Sequence, residues 1–326
     1  MPHVFVTRRL PGRAVEQLRK AGHTVDVWEG ELPPPPAELR ARSLAADAVL
    51  ALLTDRFDAD LLEQASRLRI VANMAVGFDN IDPRVAADRG IWVTNTPGVL
   101  AETTADFAFA LLLAAARNVV SSDRDTRAGG WKTWSPTAFL GPDVHRATLG
   151  IVGMGGIGQA VARRARGFEM RLLYTSRTRK PALERSLDIE WCTLESLLAG
   201  ADFVSLHVPL SAETHHLIGA RELALMQPSA ILVNTARGQV VDQEALVDAL
   251  RRGQLAGAAL DVTDPEPLPL DHPLFSLPNV VITPHIASGS LATRARMAEM
   301  AAANIIAVLA GQKPPNPVNL VNNMHM

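Results

Sequence analysis

Cysteine is nearly absent: Cys192 stands alone in 326 residues. A single thiol excludes an internal disulfide and any zinc site built on several thiolates, so it reads as a small apolar filler and no metal is expected. Long hydrophobic runs are missing as well. The longest, Phe107 to Ala116, lies between Asp106 and Arg117 and is too short to cross a bilayer. The opening Met1-Pro2-His3-Val4-Phe5-Val6 lacks the basic-then-apolar order of a secretory signal. Charge of one sign is also lacking, since 32 basic and 34 acidic residues give a formal net charge of -2. The arginines are scattered rather than gathered, so neither a nucleic acid nor a membrane surface is an expected partner. A cytoplasmic location is the expectation. With hydrophobic residues at 48% and charged residues at 20%, the chain can bury a sizeable core, and its length suggests two domains.

The first hundred residues alternate strand-like and helix-like segments. Val4–Val6, Thr24–Trp28, Ala48–Leu53, Arg69–Asn73 and Ile91–Val93 read as strands, with a helix from Gly12 to about Ala21 and another carrying Leu61 and Leu62. Such alternation predicts parallel βα units with helices on both faces of a sheet. Pro33 to Pro36 read as a stiff surface loop between elements. The segment Ala101–Asn118 predicts a long helix so poor in polar faces that it is buried, between domains or between subunits. A polar connection, Ser121 to Arg146, precedes a second βα series at Thr148, Arg171–Thr175, Phe203–His207, Ile231–Asn234, Ala256–Leu260 and Val280–Thr283. A second long helix, Leu291 to Ala310, is expected to return with the tail to the first domain. No short-period repeat is present.

The strand Thr148–Val152 runs directly into Gly153-Met154-Gly155-Gly156-Ile157-Gly158, and a helical stretch follows from Gln159 to Arg166. This is G-x-G-x-x-G between a strand and a helix. Gly153 permits the tight turn, Gly155 lets backbone approach a pyrophosphate, and Gly158 lets helix and strand pack closely. Free N–H groups at the helix start then bind the phosphates. The next strand, Arg171–Thr175, ends in Ser176-Arg177-Thr178-Arg179-Lys180, with no carboxylate for a ribose 2′-hydroxyl. A hydroxyl followed by guanidinium groups suits a 2′-phosphate instead, so NADP(H) is favoured over NAD(H).

Three further segments end strands in polar residues, where open α/β sheets bind ligands. They are Asn234-Thr235-Ala236-Arg237-Gly238, Asp261-Val262 with Asp264-Pro265-Glu266-Pro267, and Thr283-Pro284-His285-Ile286-Ala287. Each alone has a bland explanation: a surface ion pair, a turn carboxylate, a capped loop histidine. Behind a dinucleotide turn they are the parts needed to reduce a keto acid.

With these segments, and with Val76-Gly77-Phe78-Asp79-Asn80-Ile81-Asp82, Thr104-Ala105-Asp106 and His207-Val208-Pro209-Leu210, nearly the whole chain resembles the D-isomer-specific 2-hydroxyacid dehydrogenases, within them the glyoxylate/hydroxypyruvate reductases. The resemblance implies an α/β fold of two doubly wound parallel-sheet domains with a cleft between them. A flavodoxin-like substrate lobe would take residues 1–98 plus 286–326, and a Rossmann cofactor domain residues 99–285. It implies Arg237, Glu266 and His285 as the catalytic set. Arg237 would bind the substrate carboxylate and polarise its keto oxygen. His285 would be general acid, oriented and kept in its acid form by Glu266. Val76 and Gly77 would cradle the carboxylate by backbone N–H, with Leu53 and Ser288 lining the substrate pocket. The cofactor would meet Thr104, Gly153, Gly155, Gly156, Ile157, Gly158, Ser176, Arg177, Thr178, Val208, Pro209, Thr214, Thr235, Ala236, Arg237, Asp261, His285 and Ala287. Trp131 or Trp134 could close the pocket from a neighbouring subunit of a homodimer, or be core packing. The expected reaction is NADPH-dependent reduction of small 2-keto acids, glyoxylate and hydroxypyruvate. The alternatives are another short-type D-2-hydroxyacid dehydrogenase and a corepressor-like dinucleotide sensor.

Overall fold

The computed structural model describes residues 1–321; the final part of the expected substrate domain, 322–326, lies outside the described residues. The chain divides into two compact units, Met1–Leu100 with Gly289–Met326, and Ala101–Ser288.

In the first unit five parallel strands form one sheet: β1 (His3–Val6), β2 (Thr24–Val27), β3 (Ala48–Ala51), β4 (Ile70–Asn73) and β5 (Trp92–Thr94), in the order β2-β1-β3-β4-β5. β3 and β4 are buried throughout, which is why their sequences are continuous apolar runs rather than alternating ones. Order reverses between β1 and β3, and Thr7 there donates its N–H to Leu50 O and its hydroxyl to the Asp55 carboxylate at 2.5 Å. The helix Leu291–Leu309 starts at Ser290, whose hydroxyl caps Thr293 N–H, and buries Met297, Ala298, Ala301, Ala302, Ile305 and Val308. It packs on β3 and β4, and Arg69 donates to Val308 O at 2.7 Å. Asn319 then borders β5, accepting from Val93 N–H at 2.8 Å and donating to Ile91 O at 2.9 Å. The proline run is only partly loop. Pro36 is the first residue of the helix Pro36–Ala45, a position where its missing N–H costs nothing.

The second unit holds seven parallel strands: β6 (Thr148–Val152), β7 (Arg171–Thr175), β8 (Ile189–Trp191), β9 (Phe203–Leu206), β10 (Ile231–Asn234), β11 (Gly257–Leu260) and β12 (Val280–Ile282). Their order is β12-β11-β10-β9-β6-β7-β8, a doubly wound sheet that reverses between β6 and β9. β8 is the short edge strand that the sequence pattern did not reveal. The apolar helix Ala101–Ala116 is buried in this unit's own core, where Ala105, Ala108, Phe109, Leu112 and Ala116 cluster with Leu149, Ile151 and Phe203. It need not be buried between domains or subunits. The connection expected from Ser121 begins as a helix, Val119–Arg127, with an Asp123–Arg127 pair one turn apart at 2.9 Å. Its polarity reflects a solvated helix with no buried residue, not a loop. Residues 286–288, assigned from the sequence to the substrate domain, stay with the second unit. Ile286 and Ala287 N–H groups are held by the Asp261 carboxylate at 2.9 and 2.7 Å. Among the described residues no single helix is long and apolar enough to cross a membrane.

Candidate active site

The glycine turn lies at the reversal point of the second sheet. Gly153 has φ of +100°, in the left-handed region, and a Cβ there would meet His207 O at 2.6 Å. Gly158 abuts the turn itself, since a Cβ would fall on Gly153 O. Gly155, at the start of the helix Gly156–Arg166, is different. A Cβ there would meet nothing within 4 Å, so its lack of a side chain leaves an open cradle at the helix N-terminus. That opening fits a pyrophosphate. Val152 lies in register with Thr175 and Leu206, so the ends of β6, β7 and β9 rise together around the turn.

Just after β7, Ser176 donates to Thr178 O at 2.8 Å, which folds the basic loop back on itself. Arg179 is bound to Glu184 at 2.8 Å. Arg177 is exposed; the Ser211 hydroxyl, with a smaller addition from the Arg177 charge, holds the Glu213 carboxyl below its ordinary range. Thr214 does not present a free hydroxyl: it donates to Pro209 O at 2.6 Å and accepts from Ser211 N–H at 2.8 Å, shaping the loop that follows β9. Val208 and Pro209 begin that loop. Thr104 is buried in the helix Ala101–Ala116, and Ile157 is half-buried in the first turn of the cofactor helix.

The three polar strand ends converge within the second unit. Asn234↔Leu260 and Leu260↔Ile282 are register pairs, so β10, β11 and β12 finish level. Asn234 bends its own loop, accepting from Ala236 N–H at 3.0 Å and donating to Arg237 O at 2.8 Å. Gly238 lets that loop close on the next, since a Cβ there would fall on Thr263 O. Thr263 N–H in turn donates to Glu266 Oε1 at 3.1 Å. The other oxygen, Oε2, lies 2.8 Å from His285 Nδ1, and the two side chains are 32% and 23% exposed. His285 has φ of +53° and is pinned by its N–H to Asp261 O at 2.8 Å. The Asp261 carboxylate, 1% exposed, is fully engaged by Thr283 Oγ1 at 2.7 Å and by Ile286 and Ala287 N–H. Asp261 therefore builds the histidine loop. Thr235 carries a buried hydroxyl with no partner among the described residues, which fits a polar group of a bound nicotinamide.

In the first unit Leu53 is half-buried after β3, and the exposed Val76 and half-buried Gly77 follow β4. Ser288 ends the second unit. Trp131 and Trp134 are 70% and 79% exposed, so neither is core packing. Sequence reasoning missed Thr263, which aims Glu266, because it is a single polar residue with no periodic signal; Asn234 was read as a polar strand end, without its role in shaping the Arg237 loop.

A doubly wound sheet with this turn and a paired His–Glu beside the Arg237 loop is the site of a dinucleotide-dependent oxidoreductase. The model of the family described as D-isomer specific 2-hydroxyacid dehydrogenase, NAD binding domain, matches residues 109–287. The chain is 56% identical over 319 residues to the glyoxylate reductase of Korarchaeum cryptofilum, covering 98% of this chain and 96% of that one. It is 53% identical to the glyoxylate reductase of Aeropyrum pernix, with 98% and 96% covered. A solved protein of Thermus thermophilus superimposes with a TM-score of 0.91 at 53% identity, covering 97% and 99%. An NADPH-dependent glyoxylate/hydroxypyruvate reductase of Sinorhizobium meliloti, solved with NADP and malonate, gives 0.87 at 32%, covering 100% and 99%. The chain belongs to the D-isomer-specific 2-hydroxyacid dehydrogenase family and is an NAD(P)-dependent oxidoreductase.

Proposed function

We propose that this protein reduces small 2-keto acids, glyoxylate to glycolate and hydroxypyruvate to D-glycerate, with NADPH preferred over NADH. The observation that carries the reading is the 2.8 Å pairing of His285 Nδ1 with Glu266 beside the Arg237 loop. With Nδ1 committed to the carboxylate, Nε2 is the atom that gives a proton to the substrate's carbonyl oxygen. Arg237 binds the keto acid and polarises that oxygen with its fan of N–H donors. Glu266, aimed by Thr263, keeps the imidazole in one orientation. Val76 and Gly77 supply N–H groups for the substrate carboxylate, while Leu53 and Ser288 restrict the substrate to small side chains. When bound, the nicotinamide supplies the hydride.

The first unit, with the helix and tail after residue 289, is the substrate domain, and Ala101–Ser288 the cofactor domain. Gly153 to Gly158 receive the pyrophosphate, Ser176, Arg177 and Thr178 the 2′-phosphate, Val208, Pro209 and Thr214 border the adenosine, and Thr104, Thr235, Ala236, Asp261 and Ala287 lie on the nicotinamide side. The glyoxylate reductase relatives support the substrate class, and the absence of a carboxylate after β7 supports the cofactor preference. A homodimer is the working assembly.

The test is loss of NADPH absorbance over a panel of 2-keto acids, run in parallel with NADH. Glyoxylate and hydroxypyruvate should give the highest kcat/KM, and NADPH should exceed NADH. His285→Ala should lower kcat by at least about a hundredfold while NADPH affinity changes little. Turnover with no 2-keto acid would instead make the protein a dinucleotide sensor, and unchanged turnover in the variant would remove His285 from the mechanism.

A further inference from the structure

The turn after β4 has its carbonyl groups and its N–H groups in opposite states. Ala75 O accepts from Thr96 N–H at 2.8 Å, Val76 O from Asn95 Nδ2 at 2.8 Å, Gly77 O from Asn73 Nδ2 at 2.8 Å and Phe78 O from Ile81 N–H at 3.0 Å. Four consecutive carbonyls are taken. The N–H groups of Val76 and Gly77 have no acceptor among the described residues. A peptide plane is rigid and trans, so fixing its C=O fixes its N–H on the opposite side. Thr96 backbone thereby directs Val76 N–H, and the Asn95 side chain directs Gly77 N–H. The Val76–Gly77 plane is the easiest of these to flip, because the residue after it is glycine.

The remaining asparagines tie this turn to its neighbour. Asn73 is fully buried and spends its second amide hydrogen on Asn80 Oδ1 at 3.1 Å. Asn80 Nδ2 reaches across to Asp55 O at 2.8 Å and Leu52 O at 3.1 Å. Leu52 N–H donates to the buried Asp55 carboxylate at 2.7 Å. The loop that carries Leu53 and the turn that carries Val76 and Gly77 are thus one hydrogen-bonded assembly inside the first unit.

We infer that Asn95 is a positioning residue for substrate, holding the Val76 carbonyl so that Gly77 N–H is presented to the substrate carboxylate, with Asn73 and Asn80 setting the register of that turn against the Leu53 loop. The inference rests on the proposed role of Val76 and Gly77. Two N–H groups side by side, with the adjoining carbonyls turned away, form a concave donor pair suited to an anion. If the Val76–Gly77 plane turned over, a carbonyl would face the substrate carboxylate and repel it.

The test compares Asn95→Ala, which removes the donor, with Asn95→Asp, which puts a negative acceptor opposite Val76 O in nearly the same shape. Both are measured for steady-state kinetics with glyoxylate, for NADPH affinity by fluorescence, and for calorimetric binding of oxamate, an unreactive 2-oxo acid analogue, to the NADPH-loaded enzyme. KM for glyoxylate and Kd for oxamate should rise together, by about tenfold in the alanine variant and further in the aspartate variant. kcat should stay within about threefold of wild type, and melting temperature and NADPH affinity should hold. Oxamate binding and KM within twofold of wild type in both variants would overturn the inference, as would a fall in kcat, cofactor affinity and melting temperature in parallel. If wild-type enzyme itself fails to bind oxamate, the carboxylate role of Val76 and Gly77 falls, and the positioning role with it.

Discussion

His207 stands directly behind the cofactor turn, its backbone oxygen against the face of Gly153 where any side chain would clash. Its Nε2 pairs with Ser205 Oγ at 2.8 Å, while its Nδ1 is buried without a partner among the described residues. Burial pushes the imidazole down to about 4 from an ordinary 6.5. The sign follows from proton counting. Between these values the unfolded chain binds the proton and the folded chain does not, so this stabilisation is complete above pH 6.5 and is lost as pH falls towards 4. The full span is worth about 3 kcal/mol. Urea unfolding at pH 7.5 and 4.5 should therefore show a steeper acid loss in wild type than in His207→Gln, by most of that amount. Parallel losses would show that His207 titrates normally in the folded protein. From sequence, His207 was one letter of a family-like motif; that its ring is half-buried with Nδ1 shut away from water follows only from its neighbours in β6 and β9. The His285–Glu266 pair is the converse case. Both residues were legible as chemistry, but their separation of 19 positions became a contact only through Thr263, Asp261 and the level ends of β11 and β12.

Among the elements, the strand–turn–helix from Thr148 to Arg166 was the most legible, because three glycines at fixed spacing each meet a separate steric demand. The structure separates those demands. Gly153→Ala combines a left-handed backbone with a Cβ 2.6 Å from a backbone oxygen, and should cost about 1–3 kcal/mol of stability in addition to cofactor binding. Gly155→Ala places its methyl in open space, so stability should change by less than about 1 kcal/mol. Dinucleotide affinity should nonetheless fall by tenfold or more, since the methyl occupies the space a pyrophosphate needs. Thermal unfolding and NADPH fluorescence titration on both variants separate the two effects; equal Tm losses would mean that Gly155 serves packing alone. The helix Val119–Arg127 and the strand β8 were not legible for a shared reason. One has no buried residue and the other is three residues long, so neither carries the periodic burial by which elements are recognised.

Across the whole molecule, the segment from Ala128 to Asp143 is exposed throughout yet carries Trp131, Trp134, Phe139 and Leu140. Four large apolar side chains on one exposed stretch are unfavourable in a solvated monomer, and a second copy of the chain is the partner we propose for them. Sedimentation equilibrium should give twice the chain mass of 35.0 kDa, and Trp134→Glu with Leu140→Glu should shift it towards the monomer. A wild-type monomer at micromolar concentration would dispose of the proposal. The sequence alone determined the two parallel α/β series and the glycine turn, and offered Arg237, Glu266 and His285 as candidates, because local sterics and chemical type are written residue by residue. Only tertiary structure decided that Asp261 is consumed in building the histidine loop, that the Ala101–Ala116 helix is core, and that the Asn95 side chain meets the Val76 carbonyl nineteen positions away. Those outcomes depend on which buried donors and acceptors meet, and hydrogen-bond pairing between distant segments leaves no periodic trace in the order of residues.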